Sequence, residues 1–594
     1  MLYGWLEHTQ KFKSWALLTH LATFVDGPWL CMGDFNAILH TTEKQSARPP
    51  SYIQMDEFCI ALERCNLADL GFLGYPFTWN NKRPGHANTR QRLDRAVANA
   101  EWRLKFPATT VTHLFSHASN HLPIILQVMT DRRKTVRSKK GFKFEEVWLM
   151  WDDCEEVGHE AWNTYGGAAS AIDDVKEKIK RCGADLQAWG AVRTNPDTER
   201  IKAHEKQAEL ITKTELIEAT KADLAVVSKE LDDLLLKQEI FWAQQSRVSW
   251  LKYGDKNTKF HSKASQRRRR NFIHGIRNSE DAWLEEIDDI ADMAVKYFEN
   301  MFKSGACDRL EECLAAVPYN VTSDMQTFLT GEYSAEKIKA ALFQMGSIKA
   351  PGPDGMNTLF YQKLWHIVGD NVVNAILEFL NTGHMEPDLN YTHIVLIPKI
   401  KSPEKMSDYR PISLCNVIYK IISKVLANRL KQILPQLIAP SQSAFVPGCL
   451  ITDNVLVAYK TLHAMHGPKK GKKGALALKL DISKAYDRVE WAFLKGIMVK
   501  LGFPEIWVDR VMCCVSSPSF SVCINGKAYG NIKPSRELRQ GDLLSPYLFL
   551  ICVEGFTSLL ARVEMEEQLH GVSICRRAPK VSHLLFVDDS LLFC

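Results

Sequence analysis

Two stretches of the chain decide the fold, Leu478–Asp487 (LKLDISKAYD) and His583–Leu592 (HLLFVDDSLL). Each places aspartate at the end of an apolar run that is typical of a β-strand. In the second stretch, apolar residues stand on both sides of Asp588 and Asp589, which predicts a hairpin with an Asp-Asp-Ser turn. If the two stretches meet in space, Asp481 joins this pair and three carboxylates converge.

Three converging carboxylates suggest phosphoryl transfer. Adding a nucleotide to a 3′-hydroxyl uses two divalent ions about 3.5 to 4 Å apart, and Mg²⁺ prefers carboxylate oxygens. Asp481 and Asp588 are the expected bridging ligands, with Asp589 as the third carboxylate. Taken singly, each stretch has an ordinary alternative: Asp481 could cap a helix that begins at Ser483, and the two later aspartates could be plain turn residues.

A third stretch, Leu538–Phe549 (LRQGDLLSPYLF), lies between these two and is a glycine-containing polar turn followed by an apolar helix. The three stretches, in this order, resemble motifs A, B and C of reverse transcriptases. Flanking stretches look like those of plant non-LTR (LINE-type) retrotransposon polyproteins. These are Trp250–Asn257 (WLKYGDKN), Lys349–Gly355 (KAPGPDG), Ile397–Lys399 (IPK), Asp408–Asn416 (DYRPISLCN) and Gln442–Gly448 (QSAFVPG).

The resemblance implies an RNA-directed DNA polymerase that uses an RNA template, a DNA primer, deoxynucleoside triphosphates and two Mg²⁺ ions, with Mn²⁺ as a possible substitute. By the same resemblance, Tyr486 is the steric gate that excludes a 2′-hydroxyl. Lys399 and Arg410 stand where finger cations meet the triphosphate, although a lone surface cation is usually only solvated. Gln540 and Gly541 fall where motif B packs against the template and the incoming nucleotide.

The N-terminal region carries a second resemblance. Trp29–Asn36 (WLCMGDFN), Phe77–Trp79, Arg92–Arg95 (RLDR) and Ser119–Ile124 (SNHLPI) look like the C-terminal half of an endonuclease/exonuclease/phosphatase domain. A single GDFN sequence is otherwise an ordinary junction between a strand and a turn.

In that family the corresponding residues handle the scissile phosphate. The resemblance implies that Asp34 and Asn36 engage the phosphate and its attacking water, and that Asp94 orients the active-site histidine, His121. Asn120 stands where the family has a metal-contacting Asp, and an amide is a weaker ligand for Mg²⁺. The family's earlier strands, with a metal-ligating Glu and a phosphate-binding Asn, are expected before Met1. We therefore expect this half-domain to be inactive and poorly folded.

The C-terminal end departs from the polymerase pattern as well. The chain stops at Cys594, directly after motif C, whereas family members continue into a primer grip and a thumb, so lower processivity is expected. Val587 replaces the usual Ala of the LINE family. Cys449 replaces an Arg after Pro447-Gly448, which removes a cation that could hold template or nucleotide.

Composition indicates several packed domains, because 46% of the 594 residues are hydrophobic. The net charge is only +6, so affinity for nucleic acid must come from local patches such as Arg267–Arg270 and Lys469–Lys473. Such runs are equally well solvated loops or localisation signals. The 15 cysteines form no CxxC pair, no secretory signal precedes them, and no apolar run is long enough to span a membrane. We expect a soluble nuclear or cytoplasmic protein without a membrane partner.

The predicted fold class is a multidomain α/β and α+β chain. A partial endonuclease/exonuclease/phosphatase β-sandwich is expected at residues 1–130, a charged helical linker at 150–310, and reverse transcriptase fingers and palm, truncated after motif C, at 330–594. Apolar residues recur at helical spacing over Asp174–Gln244, which favours a solvated or coiled-coil spacer over an RNA-binding arm. Alternating helices and strands in the last region predict one antiparallel palm sheet backed by helices, which includes a strand pair at Ser519–Ile524 and Lys527–Ile532.

Three hypotheses for function remain open on the sequence. The first is an RNA-directed DNA polymerase, favoured because all three expected carboxylates occur in the expected order. The second is a catalytically inactive nucleic-acid-binding remnant of a mobile element. The third, a metal-dependent phosphodiesterase, is disfavoured by the missing Glu and Asn.

Overall fold

The computed structural model describes most of the chain, and the described residues form two compact units, one within residues 1–140 and one within residues 141–594. The described residues are 2–83, 87–106, 109–114, 119–128, 141–164, 167, 170–191, 200–201, 203–204, 206–208, 218–246, 271–305, 307, 309–400, 402–466, 474–575 and 577–594. Three predicted features lie outside them, the stretch Trp250–Asn257 and the basic runs Arg267–Arg270 and Lys469–Lys473.

The first unit combines short strands with three helices. Its strands are β1 (Leu2–Tyr3), β2 (Leu30–Asp34), β3 (Lys44–Gln45), β4 (Ala68–Asp69), β5 (Trp79–Asn80), β6 (Arg90–Gln91), β7 (Asp94–Ala98), β8 (Thr110–His113) and β9 (Ile124–Gln127). Its α-helices are Lys11–Ala22, Tyr52–Arg64 and Ala100–Lys105.

The strands of the first unit make a four-stranded sheet in the order β1-β2-β7-β4 and two smaller sheets, β3-β6-β5 and β8-β9. In the larger sheet β2 runs antiparallel to β7, and Asp34 lies directly opposite Asp94. Phe35, Phe58 and Val97 are fully buried beside this sheet. The apolar core therefore holds the two acidic positions at one end of a strand pair.

The second unit is a mixed helix and sheet structure. Its strands are β10 (Ile276–Arg277), β11 (Trp283–Leu284), β12 (Thr392–Pro398), β13 (Tyr409–Leu414), β14 (Ala477–Asp481), β15 (Phe520–Ile524), β16 (Lys527–Ile532), β17 (Val572–Ser573), β18 (Lys580–Val581), β19 (His583–Phe586) and β20 (Asp589–Phe593). Its α-helices are Cys154–Asn163, Ala171–Gly190, Glu218–Ser246, Ile287–Met301, Leu310–Ala315, Ser323–Thr330, Ala335–Phe343, Thr358–Lys363, Trp365–Thr382, Val417–Leu437, Ile451–His466, Trp491–Leu501, Glu505–Ser516 and Ser545–Met565.

The helix Val417–Leu437 lies at the centre of this unit. It is apolar on most of its surface, and 14 of its 21 residues are buried. A helix that is hydrophobic nearly all round must be covered on several sides, and the helices Ala335–Phe343, Trp365–Thr382 and Ser545–Met565 pack against it. In the part of the chain that the structure describes, no helix combines the length and apolarity that crossing a membrane requires.

The strands of this unit correct the prediction of a single palm sheet. The pair β15-β16 belongs to a four-stranded sheet, β13-β12-β15-β16, in which β12 runs parallel to β15. A separate three-stranded antiparallel sheet has the order β14-β20-β19. The separation follows from packing, because Ile394 and Val522 of the first sheet are buried together against the helix Ile287–Met301, apart from the main core.

The prediction of a solvated or coiled-coil spacer over Asp174–Gln244 is wrong for the helix Ala171–Gly190, and the preceding helix Cys154–Asn163 is buried in the same way. Their apolar faces are part of the main core, where Trp162 is fully buried. The Nε1 of Trp162 donates a hydrogen bond of 3.0 Å to Oδ1 of Asn371 in the helix Trp365–Thr382. Helical periodicity gave the correct structure for these segments, which pack against each other and against the helix Trp365–Thr382 of the same unit.

The stretch Lys349–Gly355 forms a tight turn over the segment that begins the second unit. Gly355 has a φ of +75°, and a Cβ there would lie 1.9 Å from the carbonyl oxygen of Phe142. The backbone N–H of Phe144 donates to the carbonyl oxygen of Gly355 at 3.1 Å. Glycine is required at this position because the two backbones touch.

Candidate active site

The motif A and motif C stretches meet as neighbouring strands. β14 pairs antiparallel with β20 over five residue pairs, and this register puts Asp481 directly opposite Asp589. β19 and β20 form a hairpin whose last pair is Phe586 with Asp589. The acidic ends of both stretches therefore lie at the same end of one sheet, as the sequence predicted.

The turn of this hairpin differs from the predicted Asp-Asp-Ser turn. Its two residues are Val587 and Asp588, and Asp589 is already the first residue of β20. Val587 has a φ of +57°, a conformation that β-branched residues rarely adopt. The sequence favoured the wrong register because Asp and Ser are better turn residues than Val.

The three aspartate side chains are near one another without forming a closed ligand set. Asp481 and Asp589 are exposed, and Asp588 is half-buried. Oδ1 of Asp589 lies 3.0 Å from Nζ of Lys479. Among the described residues, Asp34, Asp94 and His121 are the acidic or histidine group whose ligand atoms all lie within 4.8 Å of one another. The tertiary structure thus aligns the backbone of the three aspartates, while Lys479 holds one carboxylate aside.

Tyr486 lies close to this acidic end. Its ring stacks on Phe549 of the helix Ser545–Met565, with centroids 4.7 Å apart and planes inclined by 14°. Burial, and to a lesser degree the Asp588 carboxylate, raises the pKa of the Tyr486 hydroxyl to about 12. The backbone carbonyl of Tyr486 also accepts a hydrogen bond from the N–H of Leu538 at 2.8 Å. The ring is therefore fixed by both its face and its backbone.

Gln540 and Gly541 lie where the motif B stretch crosses β13. The backbone N–H of Ser413 donates to the carbonyl oxygen of Gln540 at 2.9 Å. Gly541 has a φ of +105°, and a Cβ there would lie 3.2 Å from the carbonyl oxygen of Ser413. Nε2 of Gln540 donates to Oδ1 of Asp487 at 3.1 Å. The turn is thus tied to both β13 and the motif A stretch.

Lys399 and Arg410 are exposed residues on the β12-β13 hairpin. Arg410 pairs with Ile397 in the ladder, and Nζ of Lys399 donates to the carbonyl oxygen of Ser407 at 2.9 Å. Burial raises the pKa of the Asp487 carboxyl, whereas the positive charge of Lys399 acts in the opposite direction. The Lys399 ammonium group therefore lies within electrostatic reach of the motif A stretch.

Comparison with known families agrees with this geometry. Residues 397–594 match the family model described as reverse transcriptase (RNA-dependent DNA polymerase). These residues include all three strands of the acidic sheet. The chain contains a reverse transcriptase domain.

Two of the curated relatives carry the names of mobile elements. The chain is 29% identical to the transposon TX1 uncharacterized 149 kDa protein of Xenopus laevis over 52% of this chain and 23% of that protein. It is 28% identical to the Pol polyprotein of the type-2 retrotransposable element R2DM of Drosophila melanogaster over 41% of this chain and 22% of the polyprotein. The chain thus matches about a quarter of the length of these relatives.

A shorter match connects the chain with a plant. Over 67 residues it is 46% identical to an uncharacterized mitochondrial protein of Arabidopsis thaliana. This match covers 11% of this chain and 55% of that protein.

Sequence reasoning missed a buried polar network beneath the reverse transcriptase motif B. Arg539 and Asp542 are both nearly fully buried, and the guanidinium group of Arg539 lies 4.0 Å from the centre of the Tyr419 ring. The Tyr419 hydroxyl donates to Oδ2 of Asp542 at 2.8 Å, and Nη2 of Arg539 donates to the carbonyl oxygen of Cys514 at 2.9 Å. The signal in the sequence is the charged pair of RQGD placed between apolar residues.

Glu537 was missed as well. It is buried, and burial raises the pKa of its carboxyl to about 8. Its φ of +134° is unusual for a residue with a side chain. Its carbonyl oxygen accepts a hydrogen bond from Nε1 of Trp491 at 2.8 Å. Nothing in the local sequence distinguishes Glu537 from a solvated acid.

In the first unit the structure brings together Asp34, Asp94 and His121. Nδ1 of His121 and Oδ2 of Asp94 are 2.9 Å apart, and Nε2 of His121 lies 4.0 Å from Oδ2 of Asp34. The hydrogen bond with Asp94 raises the pKa of the His121 ring. Burial raises the pKa of the Asp34 carboxyl. A doubly held imidazole between two carboxylates is suited to binding a metal ion or a proton.

Asn36 adjoins this group. Its backbone N–H donates to Oδ1 of Asp34 at 2.9 Å, and its Nδ2 donates to the carbonyl oxygen of Gly4 at 2.7 Å. Its φ is +48°, which asparagine tolerates better than most residues. Asn120 is exposed next to His121.

Proposed function

We propose that this chain is an RNA-directed DNA polymerase of a LINE-type retrotransposon, which extends a DNA primer on an RNA template with deoxynucleoside triphosphates. The observation that supports the proposal best is the register that sets Asp481 opposite Asp589, next to the turn that carries Asp588. It occurs within the segment that matches the reverse transcriptase model.

The proposal extends to the organisation of the chain. Residues 330–594 are assigned to the fingers and palm, and residues 1–130 to part of an endonuclease/exonuclease/phosphatase domain. The similarity to the Arabidopsis protein supports a plant element as the source.

The donor set suits two Mg²⁺ ions, with Mn²⁺ as a substitute. Three carboxylates at one sheet end offer only hard oxygen ligands, which is the preference of Mg²⁺. Asp481, Asp588 and Asp589 would hold the ions, which lower the pKa of the primer 3′-hydroxyl and offset the charge on the leaving pyrophosphate. Asp589 would then exchange its contact with Lys479 for a metal ion, and an ion pair between exposed groups costs little to break.

Neighbouring side chains would position the nucleotide. The Tyr486 ring is stacked on Phe549, so a ribose 2′-hydroxyl that meets the ring cannot push it aside without breaking that packing. The exposed cations Lys399 and Arg410 would balance the charge of the triphosphate. Gln540, whose amide is held by Asp487, would contact the template and nucleotide. Gly541 allows the backbone of that turn to lie against Ser413.

Primer extension tests the proposal. Purified protein is incubated with poly(rA), an oligo(dT) primer, labelled dTTP and Mg²⁺ or Mn²⁺, beside the double variant Asp588→Ala, Asp589→Ala. The matched control is Asp370→Ala, which removes an exposed carboxylate from the helix Trp365–Thr382. We expect extension by the wild type and the control and none by the double variant. If folded wild-type protein retains the primer-template without extending it, the chain is instead an inactive nucleic-acid-binding remnant.

The group at Asp34, Asp94 and His121 supports a second function for the first unit, phosphodiester hydrolysis of the endonuclease/exonuclease/phosphatase type. In this assignment Asp34 and Asn36 hold the phosphate and its attacking water, and Asp94 orients His121. Asn120 lacks the charge of the family's aspartate, so we expect the natural chain to be inactive. In a supercoiled-plasmid assay with Mg²⁺, the natural chain should leave the plasmid intact, and any nicking gained by Asn120→Asp should be abolished by Asp94→Ala. Equal nicking by the natural chain and Asn120→Asp would contradict this role for Asn120.

A further inference from the structure

The segment Ser441–Ala444 runs along β19 and extends the acidic sheet. The backbone N–H of Leu585 donates to the carbonyl oxygen of Ser441 at 2.8 Å, and the N–H of Ser443 donates back to the Leu585 carbonyl at 3.4 Å. Gln442 and Leu585 form a parallel bridge. The segment is therefore attached to the strand that leads into the Val587–Asp588 turn.

The side chain of Gln442 reaches that turn. Gln442 is 2% exposed, and its Oε1 accepts hydrogen bonds from the backbone N–H of Ala444 at 2.9 Å and of Val587 at 3.4 Å. Its Nε2 is buried and has no hydrogen-bond partner among the residues that the structure describes, which is costly for an amide. Burying a glutamine with an unsatisfied Nε2 lowers the stability of the fold. We therefore ask what the bond between its Oε1 and the turn contributes.

The contribution concerns the backbone conformation of Val587. Its φ of +57° is unfavourable for a β-branched side chain, and such strain costs on the order of 1 to 3 kcal/mol unless the surroundings enforce it. Oε1 of Gln442 bonds the amide of the strained residue itself. Nδ2 of Asn454 also bonds this strand, but it donates to the carbonyl oxygen of Leu585, two residues before Val587.

We propose that Gln442 is a positioning residue of the polymerase site, which holds Val587 in its left-handed conformation and so sets the position of Asp588. Gln442 touches neither the nucleotide nor the ions in this role; it acts through the backbone of the turn. The expected effect of Gln442 on the rate of polymerisation rests on the proposed function, whereas its expected effect on the conformation of the Val587–Asp588 turn does not.

A double-mutant cycle tests the inference. Gln442→Met keeps the length of the side chain and removes the acceptor, and Val587→Gly removes the penalty for a left-handed residue. Hydrogen–deuterium exchange of the peptide that spans residues 583–594 is measured by mass spectrometry in all four proteins. We expect Gln442→Met to speed exchange by about tenfold in the natural background and by much less in the Val587→Gly background. Equal effects in both backgrounds would overturn the inference, whether or not the protein polymerises.

Primer extension gives the second readout. Gln442→Met should lower kcat and raise the half-saturating Mg²⁺ concentration by about tenfold each, as loss of a group behind a metal ligand commonly does. The KM for dTTP should stay within about twofold. A general loss of structure would instead reduce the active fraction without moving the Mg²⁺ dependence. The matched control is Gln432→Met, at an exposed position of the helix Val417–Leu437.

The two readouts separate the possible failures. If the natural chain does not extend the primer, the proposed function fails, and the exchange cycle still decides the role of Gln442. If the natural chain extends the primer and Gln442→Met changes neither readout, the positioning role is wrong while the polymerase assignment stands.

Discussion

Nζ of Lys479 lies 3.0 Å from Oδ1 of Asp589 across the β14-β20 ladder. Lys479 stands two residues before Asp481, and side chains two apart on a strand point to the same face. The lysine therefore shares a face with two of the three carboxylates that we assign to metal binding. Its charge offsets their mutual repulsion when no ion is bound, and it competes with an ion for Asp589.

The first prediction concerns this competition. Lys479→Gln should lower the half-saturating Mg²⁺ concentration in primer extension by only roughly two- to fivefold, because an ion pair between exposed groups is weak. The titration is run at constant ionic strength. Lys495→Gln, which breaks a comparable exposed pair with Asp509, should leave the Mg²⁺ dependence unchanged. A higher Mg²⁺ requirement in Lys479→Gln would show that the lysine assists metal binding.

The second prediction concerns Asp481. Asp481→Asn should reduce primer extension by at least about a thousandfold, because an amide replaces a charged ligand in the assigned two-metal site. Asp481 is exposed, so the free energy of unfolding should change by less than about 0.5 kcal/mol. Extension rates and urea unfolding curves are compared in one preparation. Retained extension would contradict the two-metal assignment.

The third prediction concerns sugar discrimination. Tyr486→Val removes the ring that stacks on Phe549, so the ratio of kcat/KM for dTTP to that for UTP should fall by at least about tenfold, equivalent to about 1.4 kcal/mol. Tyr486→Phe keeps the ring and should keep the ratio. Equal ratios in Tyr486→Val and the natural chain would exclude the ring as the gate.

The fourth prediction concerns stability at alkaline pH. Burial raises the pKa of the Glu537 carboxyl to about 8, so its neutral form is favoured in the folded state. The contribution of Glu537 to the free energy of unfolding is fully present below the pKa that its carboxyl has in the unfolded chain. It is lost as the pH rises through the pKa of the folded state. Between pH 6 and pH 9 the loss is about 2 to 3 kcal/mol.

Glu537→Gln removes this titration. The free energy of unfolding from urea titrations at pH 6 and pH 9 should therefore fall by about 2 to 3 kcal/mol more in the natural chain than in the variant. Glu505→Gln, an exposed substitution in the helix Glu505–Ser516, serves as the control and should resemble the natural chain. An equal fall in all three proteins would mean that Glu537 is already ionised at pH 6.

The fifth prediction concerns the first unit. The hydrogen bond from His121 to Asp94 raises the pKa of the His121 ring, so Asp94→Asn should lower that pKa. Deuterium exchange at the ring carbon of each histidine, followed by mass spectrometry, gives the value residue by residue. An unchanged His121 pKa would show that the pair does not persist in solution.

Local pattern sufficed for the elements of the acidic sheet. The apolar run before Asp481 predicted a strand that the structure has at Ala477–Asp481, and the runs around Asp588 predicted the hairpin β19-β20. Such strands follow from short-range preferences of apolar residues. The candidate site was found in the same way, because each acid stands at the end of an apolar run or between two such runs.

Long-range packing decided what local pattern could not. The helices Cys154–Asn163 and Ala171–Gly190 have the periodicity of any amphipathic helix, and only the tertiary structure shows the helix Trp365–Thr382 as their cover. The turn register is similar. Val587 adopts a conformation against its own preference, and its backbone N–H donates to Oε1 of Gln442, which is 145 residues earlier in the chain.

The sequence by itself determined which residues are proposed to carry the chemistry and which of the main segments are strands and helices, since these predictions depend on side-chain type and on contacts between near neighbours. Only the tertiary structure decided that Asp481 faces Asp589, that Lys479 pairs with one carboxylate, and that the buried Asp487 and Gln442 bond Gln540 and Val587. Their roles depend on burial and on hydrogen bonds between residues far apart in sequence, and neither is encoded in a local pattern.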